Sequence, residues 1–311
     1  MLVEPATLLA ALRLPSGTEV RFEPLGEAPA SPERVALRTP DGGSSVVFLR
    51  RALDPDAAAN HLAVMEALSN SGFAAAPKLL GVVGDAIGSA TIEEWVEGLT
   101  ALAIVPPAGA SEAAIAALAA LHALPLREGL HWGAAPGDLI VDEEVPLHRL
   151  GFSSDERDLA REPLAAARSA ILATPFGFAH RNATAAHILL AANSATLANF
   201  EQAGFGSQLY DVAAFLLTSG LEPAARLALA AAYARLRGLE PLATIDLVDL
   251  AGVLWGIGEM LVLPRRLIEA LGDDSASERI RTCASRIDHG IRRPAGEHPA
   301  AAAIRAALWP G

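Results

Sequence analysis

The side chains best suited to chemistry fall in one stretch: His180, Asn182, His187, Asn199 and Glu201, with Tyr210 and Asp211 just beyond. Two imidazoles and a carboxylate are donor types of a transition-metal site, since imidazole suits Zn²⁺. The spacing of His180, His187 and Glu201 matches no helical histidine motif, and the reading favoured for His180 is a structural histidine held by hydrogen bonds. Asn182 and Asn199 are equally compatible with ordinary loop and strand-end positions. Glu259, Glu269, Asp273 and Asp274 form a second group. They read as an acidic pocket for a cationic ligand or, preferably, as a solvated acidic face. Lys78 is the only lysine, so any mechanism that needs one has a single candidate. Cys283 is the only cysteine. Alone it makes no intrachain disulfide, thiolate metal cluster or Cys-x-x-Cys redox pair, and a reducing cytoplasm is the expected setting.

The elements that must position these residues divide into two regions. Apolar and β-branched runs predict strands over 20–22, 34–38 and 45–49, with Pro40-Asp41-Gly42-Gly43 as a hairpin turn between the last two. An Ala-rich helix is predicted over 55–69, with Leu62, Met65 and Leu68 on one face, and strands follow over 77–83 and 90–95. Beyond Gly98 helical patterns dominate, over 111–124 with Ser111 as N-cap, then 155–173, 209–219, 222–236, 244–261 and 274–291. The exception is a loop-rich island with short strands over 177–180, 188–190 and 196–200. Loops carried on a rigid scaffold are where function is expected. These patterns predict a sheet domain over 1–97 and a helical domain over 98–311.

Composition narrows the function classes. Of the 311 residues 52% are hydrophobic, and the mean hydropathy of +0.33 is unlike that of a disordered chain. The net charge of -12 repels phosphate backbones and anionic lipids, so neither nucleic acid nor a membrane surface is the expected partner. Residues 1–14 are apolar but carry Glu4 and lack a basic start, which predicts a short helix and not a signal peptide. The apolar stretch 247–263 is interrupted by Asp249 and Glu259 and reads as a buried helix.

A small sheet with one helix, a linker at Glu94-Trp95-Val96-Glu97-Gly98, and a helical lobe with an embedded hairpin resembles the protein kinase-like fold. The details resemble the aminoglycoside phosphotransferase and choline kinase family. Residues 117–125, ending Leu121-His122-Ala123-Leu124-Pro125, are similar to that family's helix ending in Leu-His. Most specific are His180-Arg181-Asn182 with His187, then Asn199-Phe200-Glu201, then Tyr210-Asp211-Val212-Ala213. The family patterns there are H-G-D-x-x-x-x-N, D-F-E or D-F-G, and Y-D-x-A. The resemblance implies a two-lobed α+β protein, with a small N-terminal antiparallel sheet lobe carrying one helix and a larger, mainly helical C-terminal lobe.

The same resemblance marks where this chain departs from a working phosphotransferase. Phosphoryl transfer needs a carboxylate base, a metal-binding carboxylate and Asn, and a Lys–Glu pair gripping the phosphates. The resemblance implies Asn182, in the loop opened by His180, at the base position, and a neutral amide accepts no proton at pH 7. It implies His187 in place of the metal-binding Asn and Asn199 in place of the metal-binding Asp, whereas Mg²⁺ prefers oxygen with at least one carboxylate. It implies Arg50 for the Lys, His61 near the position of its Glu partner, and Glu94 and Val96 in the nucleotide-facing hinge. The turn at Pro24 to Pro29 has one glycine and an acidic residue where phosphates would be covered. Asp211 matches a support residue that holds the catalytic loop. The function expected is therefore a pseudokinase, without cofactor, binding a protein partner or small molecule between the lobes. The alternative is an active ATP- and Mg²⁺-dependent phosphotransferase acting on an aminoglycoside or amino alcohol, with Glu201 recruited to hold metal.

Overall fold

The computed structural model describes residues 3–25, 32–51, 54–84, 89–125 and 147–310; the glycine of the turn between Pro24 and Pro29 lies outside them. A short helix, α1 (Pro5–Ala11), precedes a five-stranded antiparallel sheet of β1 (Glu19–Pro24), β2 (Glu33–Arg38), β3 (Ser44–Arg51), β4 (Leu79–Gly84) and β5 (Ser89–Glu94), in the order β1-β2-β3-β5-β4. The hairpin between β2 and β3 turns as its sequence predicts, with Gly42 at a φ of 89° that a side chain would strain. Side chains alternate between the faces of a strand. Val35, Leu37, Val47, Leu49 and Ile92 accordingly turn to one face and close a small core with Leu8 and Leu9. Phe48 and Arg50 take the other face, together with Glu93 and Thr91, which lie opposite them in the β3–β5 register.

Helix α2 (Pro55–Ser71) starts at Asp54, whose side chain accepts from the Asp56 amide, and stops at left-handed Gly72. Its buried face is His61, Val64, Met65 and Leu68, while Leu62 is only half-buried. That corrects the expected face by one position and follows the i, i+3, i+4, i+7 spacing of a helix stripe. Val64, Met65 and Leu68 join the core of the C-terminal lobe and not that of the sheet, so α2 ties the two lobes together.

The C-terminal lobe comprises β6 (Leu99–Thr100), α3 (Ala108–His122), α4 (Ser154–Leu172), β7 (Phe176–Ala179), β8 (Ile188–Ala191), β9 (Ser194–Leu197), β10 (Gly204–Ser207), α5 (Gln208–Thr218), α6 (Pro223–Arg237), α7 (Pro241–Glu269), α8 (Asp274–Arg292) and α9 (Pro299–Leu308). Strands β6, β8 and β9 form one antiparallel sheet, and β7 pairs with β10 in another. Every residue of α5 is buried, because α7 and α8 pack against it.

Three expectations need correction. Helix α3 starts at Ala108, directly after Pro107, and Ser111 is no cap, since its amide already donates to the Pro107 carbonyl at 3.0 Å. Helix α7 runs beyond 244–261 in both directions: Glu240 accepts from the Leu242 and Ala243 amides to open it, and Pro264 sits inside it. Among the described residues it is the one helix long and apolar enough to cross a membrane, and 72% of its apolar window is buried inside the fold. Finally, the acidic group is a solvated face only in part: Glu269, paired with Arg265, and Asp274 are exposed, whereas Glu259 is buried against Arg266 and Asp273 caps α8 through the Ala276 amide.

Candidate functional site

The loop after β7 is held from below. Asp211, in the first turn of α5, accepts the His180 amide at 2.6 Å and the Arg181 amide at 2.7 Å. Its Oδ2 also accepts from His122 Nε2 at 2.9 Å, which leaves His122 Nδ1 to accept from the Tyr233 hydroxyl at 2.8 Å. Arg181 adopts a φ of 62°, a left-handed conformation that needs such support. His180 is fully buried, packs on Phe200 with ring centroids 4.6 Å apart, and donates from Nε2 to the Ala198 carbonyl at 3.0 Å. Burial lowers its pKa. It is the structural histidine expected of it.

Above this loop the side chains of Asn199 and His187 bond to each other, with Arg50 at one end and the Asn182 backbone carbonyl at the other. Arg50 Nη1 donates to Asn199 Oδ1 at 3.3 Å. Asn199 Nδ2 donates to His187 Nε2 at 3.2 Å, and His187 Nδ1 donates to the Asn182 carbonyl at 2.9 Å. The directions agree: a neutral imidazole has one N–H and one lone pair, and both are used. Burial, reinforced by the charges of Arg50 and Arg266, pushes His187 down to about 3 against the pull of the Asn182 carbonyl. Asn182 turns its side-chain amide to none of the described residues.

The anchor of this chain lies in the sheet lobe. Arg50 Nε is 3.5 Å from Glu93 Oε1, and the same oxygen takes His61 Nε2 at 2.9 Å and the Thr91 hydroxyl at 2.8 Å. Burial alone would raise the Glu93 carboxyl; the His61 hydrogen bond, the Arg50 charge and Thr91 outweigh it and hold the pKa low. Arg50 Nη1 also reaches Glu201 Oε1 at 3.4 Å, and Asn60 on α2 donates to the Glu201 and Ala203 carbonyls at 2.9 Å each. The carboxylate expected on α2 is therefore supplied by β5, and His61 on the helix binds the carboxylate instead of replacing it. Glu93 is absent from the sequence reading. The signal for it was available, since it stands two residues from Thr91 on the face that carries Arg50.

Between the lobes lies a cavity of about 400 Å³, lined by Arg50, Glu93, Glu94, Val96, His187 and Asn199 among others. The structure thus brings together the expected residues Arg50, His61, Asn182, His187, Asn199 and Glu201, and sets the hinge residues Glu94 and Val96 on the same cavity. The Glu94 amide is taken by the Lys78 carbonyl at 2.9 Å, while Lys78 itself is exposed and does not line the cavity.

These residues do not fit a magnesium-bound polyphosphate. Mg²⁺ requires near-octahedral oxygen donors, one or two of them carboxylates. The Asn199 oxygen already accepts from Arg50, the single His187 lone pair already accepts from Asn199, and Glu201 is turned to Arg50. Nor do His180, His187 and Glu201 form a transition-metal site: His180 Nε2 is committed to a carbonyl, and no group of three metal-binding side chains occurs among the described residues.

The buried neutral imidazole has a measurable consequence. An unfolded chain protonates His187 below about 6.5, whereas the folded protein resists until about 3. Stability contributed by this group is therefore complete above 6.5 and lost as the pH falls toward 3. In His187→Gln the urea midpoint is expected to fall less steeply across that window. A variant that loses stability as steeply as the parent would show that the imidazole is protonated in the folded state.

A model of the phosphotransferase enzyme family matches residues 23–245. No curated protein matches the chain. Among solved structures, a choline/ethanolamine kinase family protein from Mesorhizobium loti superposes with a TM-score of 0.64 over 98% of both chains at 18% identity. Choline kinase from Cryptosporidium parvum gives 0.57 over 88% of each chain at 14% identity. An aminoglycoside-3'-phosphotransferase of type VIII gives 0.51 at 20% identity, over 79% of this chain and 98% of its own. At these identities the likeness establishes a common two-lobed kinase-like fold.

Proposed function

The chain belongs to the phosphotransferase enzyme family, and on that premise we propose that it is a pseudokinase: a relative without efficient phosphoryl transfer that binds a small molecule or protein in the interlobe cleft. One observation carries the reading. The two positions that would supply metal ligands are filled by side chains bonded to each other, in the chain from Arg50 through Asn199 and His187 to the Asn182 backbone carbonyl, and the position of the base carries a neutral amide. A base must be a proton acceptor within reach of the attacking hydroxyl. Asn182 offers an amide, and the nearby carboxylate, Glu201, is committed to Arg50. That commitment also speaks against Glu201 serving as a recruited metal ligand. The charge of -12 supports a partner other than nucleic acid or an anionic membrane.

Calorimetric titration with ATP, with and without Mg²⁺, tests the proposal, alongside transfer of radiolabelled phosphate to aminoglycosides and amino alcohols. No magnesium-dependent binding and no transfer are expected at millimolar nucleotide. One-to-one, magnesium-dependent binding tighter than about 100 μM, near -5.5 kcal/mol, overturns it, as does transfer at about 1 per second, the low end for working kinases.

A further inference from the structure

Away from the cleft, four helices of the C-terminal lobe meet around a buried polar junction. Arg226 on α6 is 4% exposed. Its Nη1 donates to the Gly290 carbonyl at 3.0 Å and its Nη2 to the Arg293 carbonyl, at the end of α8. Arg305 on α9 closes the same end, donating from Nε to the Ile291 carbonyl at 2.7 Å. Cations suit the last carbonyls of a helix. Asp249 on α7 pairs with one of the two: its Oδ1 accepts from Arg305 Nη2 at 2.7 Å and from the Ala295 amide at 3.2 Å.

Two atoms of this junction are left over. Arg226 Nε and Asp249 Oδ2 are both buried and bond to none of the described residues. Burial lowers the pKa of Arg226, and the Asp249 charge is the strongest pull against it. The two side chains nevertheless form no ion pair, since Asp249 pairs with Arg305 alone among the described residues. Both line a cavity of about 20 Å³, whose wall is otherwise mostly apolar, with Leu217 of α5, Ala230 of α6 and Val253 of α7. A buried N–H and a buried carboxylate oxygen that line one gap without touching call for a bridge between them. One water molecule needs about 10–15 Å³ of such space, so the cavity takes one.

The two atoms also select the occupant. Water accepts from the Nε–H and donates to Oδ2, and so serves both. A chloride ion would meet the guanidinium but stand against the Asp249 carboxylate. A sodium ion would meet the carboxylate but stand against two guanidinium groups. At a buried site little solvent screens either repulsion.

We infer that one water molecule is a resident part of the C-terminal lobe, accepting from Arg226 Nε and donating to Asp249 Oδ2, and that it completes the junction of α6, α7, α8 and α9.

A high-resolution crystal structure of the full chain tests this. It is expected to show a single density peak about 2.5–3.2 Å from both atoms, and crystals grown with bromide in place of chloride should show no anomalous peak there. In solution, oxygen-17 magnetic relaxation dispersion counts long-lived internal waters. Ala230→Val, which narrows the cavity from α6, should hold one fewer than the parent and unfold at lower urea concentration, because both polar atoms then stay unsatisfied. Should that variant not fold, the crystals of the parent decide. The inference is overturned if the gap holds no density, if Nε is found bonded directly to Oδ2, if bromide occupies the site, or if Ala230→Val keeps the parent's count. None of these results bears on the pseudokinase reading, which is tested in the cleft.

Discussion

Replacing Asp211 with alanine is expected to cost about 3–5 kcal/mol of folding stability, the range for removing one member of a buried charged or strongly polar network. The carboxylate is 1% exposed and accepts from two backbone amides and from His122. Alanine leaves all three donors without an acceptor and too little room to admit water to each, and an unsatisfied buried donor costs about 1–3 kcal/mol by itself. Arg181, at a φ of 62°, loses the bond that holds it in an unfavourable conformation, so the loop carrying Asn182 should loosen as well. Asp211→Asn keeps one accepting oxygen and should lose about half as much. The measurement is the urea midpoint, with hydrogen exchange at the His180 and Arg181 amides as a local readout. A midpoint unchanged in Asp211→Ala would show that the loop is held by something else.

Removing the guanidinium of Arg50 is expected to be the next most damaging change. Arg50→Met should cost about 2–3 kcal/mol, because Glu93 stays buried with only His61 and Thr91 to satisfy it. The side chains of Arg50 and Glu93 are 15% and 2% exposed, so little solvent screens the pair. The loss should couple to Glu93. Removing both charges in Arg50→Met/Glu93→Gln is expected to cost about 1–2 kcal/mol less than the sum of the single changes. The pH dependence has a definite sign. With the Glu93 pKa held below its ordinary 4.5, its contribution is complete above that value and lost as the pH falls through the lower folded value. In Arg50→Met the carboxyl rises, and the acid loss should begin at higher pH. Additive single variants would show that Arg50 and Glu93 are neighbours without being partners.

These two residues divide the support of the site between the lobes. Asp211 fixes the loop from the helical side, and Arg50 reaches down from the sheet to Asn199 and Glu201. Arg50 is the cation paired with both Glu93 and Glu201. Its planar fork serves Asn199 and Glu201 through Nη1 while Nε faces Glu93, a spread that a compact ammonium could not match.

Much of this was determined by the sequence alone. Period-two alternation identified the strands that carry Phe48 and Arg50, and the hairpin turn at Gly42 set their pairing. The His180, Asn199 and Asp211 motifs located the loop, because local backbone geometry and the residues that cap it are written close together in the chain. Tertiary structure alone decided which groups satisfy which. The alternation gives Glu93 a face but no partner, and its bonds to Arg50 and His61 join segments far apart in sequence, across β3, α2 and β5. The direction of the Asn199–His187–Asn182 chain likewise depends on which imidazole nitrogen is desolvated beside which donor, a property of the assembled environment and not of residue type. For the same reason the spacing of α2 fixed an apolar stripe without saying that Val64, Met65 and Leu68 would pack into the opposite lobe: periodicity reports that a face must be buried, and only packing selects the surface that buries it.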